Sequence, residues 1–213
     1  MTREPGPHAV QSLPPPDVLE HRARVLAVLD ALLCPDWEYR YYSFNARWAP
    51  SQWMASMRDG SGSHWFLVGI DGVGLGLTGL ALHTPAFRMD HPRPGIVDRI
   101  PQALHAHFLE EPAFDMKNTT FTGWWLDAEP GWHAGTCGLE DGADDLLSAL
   151  LGGPDAYHAF AEEYYERTVD PTVVAELFAG GPVLRSTAEA LNPDLDWEAF
   201  VEEAPDMGVE TRE

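Results

Sequence analysis

The segment "HWFLVGIDGVGLGLTGLALHTP", residues 64 to 85, constrains this chain more than any other stretch, because its glycines fit two incompatible structures. Gly74-Leu75-Gly76-Leu77-Thr78-Gly79 matches the G-x-G-x-x-G spacing of a dinucleotide-binding loop. Such a loop needs a long helix directly after it, whose N-terminal amides and dipole hold the pyrophosphate. Here only Leu80 to Thr84 intervene before Pro85, too short a stretch for a crossover helix. No Lys-Ser or Lys-Thr pair completes a P-loop. The segment therefore reads as a β-hairpin. His64 to Ile70 form an apolar strand, Asp71-Gly72 the turn, and Val73, Leu75 and Leu77 alternate with Gly74, Gly76 and Thr78 on the return. The glycines then face one side of a sheet, and no nucleotide or other cofactor is expected.

The remaining segments extend this into an α+β chain. Residues 1–16, polar and rich in proline, read as a flexible arm. Asp17 can cap a helix running to about Leu33, with Val18, Val25, Leu26, Leu29, Leu32 and Leu33 at helical spacing. Trp37 to Phe44 is aromatic and reads as a strand, Ser51 to Arg58 after Pro50 as a short helix, and Thr119 to Leu126 as a strand. After a turn at Glu129-Pro130-Gly131, Trp132 to Thr136 returns as its partner. Between them, three prolines make residues 83–95 irregular, and a helix covers Pro101 to Glu110.

From Gly138 onward the pattern is purely helical: Ala143 to Leu151, Asp155 to Glu166, Pro171 to Ala179, Val183 to Leu191 and Asp194 to Glu203, separated by glycine and proline breaks. Strands followed by helices predict an α+β fold: an antiparallel sheet of about 4–6 strands, an N-terminal helix and a C-terminal group of short helices. Residues 17–139 form the sheet domain, and 140–213 an acidic helical segment that either packs on the sheet or extends it. The 213 residues, 45% of them apolar, suffice for a full core.

Charge bears most directly on function. The formal net charge is −21, and residues 140–213 hold −16 of it, with 19 acids against Arg167, Arg185 and Arg212. That balance disfavours nucleic acid and anionic membrane surfaces and favours a basic protein partner. No apolar run approaches the roughly 20 residues of a bilayer span, and the N-terminus lacks the apolar core of a signal peptide, so a cytoplasmic protein is expected. Two cysteines provide no disulfide framework. Abundant Arg, Ala, Gly and Pro with a single lysine, Lys117, suggest a GC-rich bacterial source.

The residues able to do chemistry form no recognised set. His105 and His107 fall on different faces of a helix, and His83, Asp90 and His91 flank a loop, so no metal site is expected. A small enzyme would use His83, His133 and Cys137, since His133 precedes Cys137 by four residues and a thiolate beside a histidine is an activated nucleophile. Glu110-Glu111 and Asp144-Asp145 are sequence neighbours, which do not face each other across a cleft as paired catalytic carboxylates must. A binding protein would use its exposed acids, Asp144, Asp145, Glu162, Glu163 and Glu166. It would add one aromatic anchor, Trp124, because Trp124 and Trp125 point to opposite faces of a strand and one of them can be exposed.

The stretches "YYSFNARWAPSQWMASMRDGSGSHWFLVGIDGVGLGLTGLALHTP" and "FTGWWLDAEPGWHAGT" give the chain a resemblance to uncharacterised bacterial cytoplasmic proteins from GC-rich genomes. They also give a loose similarity to the SUKH superfamily of immunity proteins. The likeness spans roughly residues 36–136 and rests on the glycine-flanked hairpin followed by His83; the superfamily's acid is replaced by Leu82. It implies an α+β fold and an immunity-type or regulatory protein that acts by binding, without catalytic residues. An uncharacterised protein with no ligand, its charge serving solubility alone, is the third alternative.

Overall fold

In a computed structural model that describes residues 8–90 and 93–213, six strands form one antiparallel sheet in sequence order. They are β1 (Tyr42–Ala49), β2 (Gln52–Arg58), β3 (His64–Ile70), β4 (Gly74–Leu80), β5 (Phe121–Leu126) and β6 (Glu129–Gly135). The fold is α+β. The helix α1 (Pro16–Leu33) precedes the sheet, and α2 (Gln102–Phe108) lies within the long β4–β5 connection. After the sheet come α3 (Ala143–Leu146), α4 (Ser148–Gly152), α5 (Pro154–Tyr165), α6 (Pro171–Ala179), α7 (Arg185–Leu191) and α8 (Trp197–Met207).

Alternation along the strands sorts side chains onto two faces. Trp65, Leu67, Leu75, Leu77 and Phe121 enter a large core with α1 and the C-terminal helices. Val68, Ile70 and Trp124 point the other way, into a smaller core with Ile100, Leu104, Phe108 and Phe114. The helical segment packs on this face over α1 and also directly, with α8 against β1 and with Tyr157 and Phe160 of α5 against Tyr42. Residues Val25 to Leu33 of α1 are all buried because the sheet and the helices enclose them. The glycine-rich hairpin forms as expected, with Gly72 in the left-handed region at its turn. Its glycines, however, serve both faces rather than the one side expected. A methyl group at Gly79 would overlap the Phe121 ring in the large core, and one at Gly76 would press on Phe108 in the small core at 3.1 Å.

Several expectations are corrected. Gln52 to Arg58 is a strand, not a helix: it pairs with β1 on one side and β3 on the other, and these ladders outweigh the helix propensity of Gln, Met, Ala and Arg. The first strand begins at Tyr42, and Trp37 to Tyr39 form a single 3-10 turn. The β5–β6 turn is at Asp127-Ala128, so Pro130 lies in an edge strand, where no donor is lost to a neighbour. Val183-Leu184 is a short strand, β7, paired in parallel with β8 (Thr211–Arg212). The expected helix from Ala143 to Leu151 is broken at Leu147, and α1 starts at Pro16, with Asp17 in its first turn rather than at its cap. Of the proline-rich arm, residues 1–7 lie outside the described residues. Ala9, Val10 and Leu13 are buried, and the Trp132 indole donates to Pro14 O at 2.8 Å.

Asp30 is completely buried in the large core. Asp30 accepts hydrogen bonds from the Tyr41 and Tyr42 amides, at 2.9 and 2.7 Å, and from the Tyr157 hydroxyl at 2.7 Å. Complete burial raises its pKa from 3.8 to about 6, with these hydrogen bonds opposing the rise. It thereby ties α1 and α5 to the start of β1.

Candidate functional site

The large core leaves little of its sheet face open. On the opposite face, the small core covers the middle of the sheet and leaves the β1–β2 end bare. There the 3-10 turn ahead of β1 presents Trp37, and the irregular end of β1, where its register against β2 shifts between Asn45 and Ala49, presents Trp48. Both indoles line a cleft of about 650 Å³ with Met54 and Phe66 from β2 and β3. Trp37 is 55% exposed and Trp48 37%, values that set them apart from the core tryptophans Trp65 and Trp197, at 1% and 4%.

Helix α8 reaches the same cleft and supplies Glu203 and Asp206 to its lining. Glu203 is held by the buried Arg40, which also donates to Cys34 O and Pro35 O. Asp206 is 3.6 Å from Arg47, with both side chains more than 70% exposed, so that pair is weak and readily exchanged. The Arg58 guanidinium lies 4.3 Å over the Trp37 ring, which shows that this indole face accepts a cation. The cleft thus combines indole surface with the α8 carboxylates Glu203 and Asp206 and with the Arg58 guanidinium, which already covers one face of Trp37. Chemically it can hold a cationic group and bury apolar area around it.

The acids expected from the sequence occupy that same layer. Asp144 and Asp145 lie on α3, Glu162 and Glu163 on α5, and Glu166 caps α5 in a left-handed conformation; all five are exposed. Glu162 also accepts from the Val169 amide at 3.4 Å and lies 3.6 Å from His158, so it braces its own loop. Trp124 does not join them. It is 9% exposed in the small core, stacked on His133 at 5.8 Å, and so is no surface anchor.

The enzyme residues do not come together either. His83 sits in an exposed turn after β4, His133 on β6 against Trp124, and Cys137 beyond the strand, with no hydrogen bond linking any two of them. His105 Nε2 lies 2.8 Å from Ile100 O and His107 Nδ1 3.1 Å from the Gln52 side-chain amide, so each histidine has its own partner; His91 lies outside the described residues. Among the described residues no three His, Cys, Asp or Glu side chains are grouped to hold a metal. Among the described residues no helix is long and apolar enough to cross a membrane.

Sequence reasoning missed Trp37, Trp48 and Asp206. The two tryptophans stood among eight, and the one usable signal was that Trp48 neighbours a proline turn where a strand must end. No known protein family, curated protein or solved structure matches the chain.

Proposed function

We propose that the protein is a non-catalytic binding module of the immunity or regulatory type, acting on a basic protein, and that the indole-lined cleft is where it docks. The observation that carries this reading is the meeting of two exposed tryptophans with α8 carboxylates in one hollow beside the most acidic part of the chain. Exposed aromatic anchors contribute large apolar area at small entropic cost. A one-signed acidic layer speeds encounter with a partner of opposite sign and turns nucleic acid away. An arginine or lysine side chain from the partner would enter between Trp37 and Trp48 and face Asp206.

Affinity capture at low and high salt, using the parent chain, Trp37→Ala/Trp48→Ala and His133→Ala/Cys137→Ala, tests this. The expected result is one basic protein, retained at low salt, released at high salt, lost with the tryptophan variant and kept with the histidine-cysteine variant. An acidic partner, or capture that survives loss of both tryptophans, would overturn it.

A further inference from the structure

A second hollow on the same sheet face, at the opposite end of the small core, differs in chemistry from the cleft. It is an open hollow of about 790 Å³, within the range of small-molecule sites, and its walls are chiefly Ile96, Val97, Leu109 and Met116. Two of the chain's 13 basic residues also line it: Arg93 and the sole lysine, Lys117.

Arg93 is 9% exposed and is built into the loops. Its Nη1 donates to Asn118 O and Thr119 O at 2.6 and 3.1 Å, its Nη2 to Phe87 O at 2.6 Å, and its Nε to Met89 O at 3.4 Å. Among the described residues no carboxylate pairs with it, whereas the other buried guanidinium, Arg40, has Glu203. Carbonyl dipoles solvate a buried cation without cancelling its charge, so positive potential remains where water is scarce. The lining acid Asp98 has one carboxylate oxygen bonded to the Gly95 amide at 2.6 Å. Arg93 and Lys117 outnumber it, in a molecule that is otherwise strongly negative.

From this geometry we infer a binding site for a small apolar anion: a carboxylate with a hydrocarbon body, its head toward Arg93 and Lys117 and its body against Ile96, Val97, Leu109 and Met116. The site is independent of the indole cleft, and it gives a role to a guanidinium that no carboxylate pairs with among the described residues.

Decanoate is the probe, with decylamine and decanol as cationic and neutral counterparts of equal length. Binding is read by calorimetry and by displacement of anilinonaphthalene sulfonate from the intact chain. Decanoate is expected to saturate one site and to bind at least about fivefold more tightly than either counterpart, as one to two favourable charge contacts allow. Lys117→Glu, at an exposed position that leaves the fold undisturbed, weakens decanoate about fivefold or more and decanol little. Met116→Trp fills the hollow and removes binding of both. The inference is overturned by any of three results: no saturable binding, decylamine or decanol binding as tightly as decanoate, or both variants binding decanoate like the parent.

Discussion

The two faces of the sheet are covered very differently. One carries α1 and the C-terminal helices over a continuous core, from Leu19 and Leu29 through Trp65 and Leu77 to Tyr157 and Trp197. The other carries only α2 and its flanking loops over a handful of side chains, among them Val68, Leu104, Phe108 and Phe114. Burial scales with apolar area removed from water, so the thick face dominates stability. The thin face leaves an open hollow on each side of its core, one at the β1–β2 end and one by the loops that flank α2. Both candidate binding sites lie there. The two hollows thus lie on the side of the sheet that contributes less to stability.

Substitutions matched across the faces sharpen that contrast. Leu77 and Leu104 are both fully buried. Leu77→Ala in the large core is expected to lower global stability by about 4 kcal/mol, and Leu104→Ala in the small core by about 2 kcal/mol, measured by urea denaturation. Amide exchange should rise throughout the protein for the first and chiefly across residues 96–116 for the second. Equal losses with the same exchange pattern would break the comparison.

The thick face also carries a pH dependence of its own, through Asp30. Folding raises the Asp30 pKa from 3.8 to about 6, so between these values the native state binds a proton that the unfolded chain has released. Stability from this group is therefore greatest below 3.8 and declines as pH rises through about 6, by about 3 kcal/mol in all. Asp30→Asn cannot ionise. Denaturation of parent and variant across that range should show the stability difference moving toward the variant by this amount, and a constant difference would show that Asp30 stays charged throughout.

The smallest effect is expected at the cleft. Trp37→Ala should change stability by less than about 1 kcal/mol in thermal or urea unfolding, because the indole is more than half exposed and packs chiefly on Arg58. A larger loss would place Trp37 in the core and weaken the case for it as an anchor.

Much of this architecture was legible because its signals are local. Residues 64–80 carry apolar alternation, a Gly turn and short glycine spacing within one hairpin, and β3 and β4 follow. The glycine and proline breaks after Gly138 likewise mark most of the helix limits. The α+β order of strands before helices came from the same local patterns.

Tertiary structure decided the rest, wherever the outcome depended on neighbours distant in the chain. Gln52 to Arg58 can be helix or strand alone, and ladders to β1 and β3 make it a strand. Trp124 and Trp125 alternate whatever the fold, but α2 and the loops around it determine that Trp124 is covered. The cleft brings Trp37, Trp48, Phe66 and Asp206 together, and the second hollow joins Arg93 to Lys117. Periodicity reports which way a side chain points within its own element; only packing determines what meets it there.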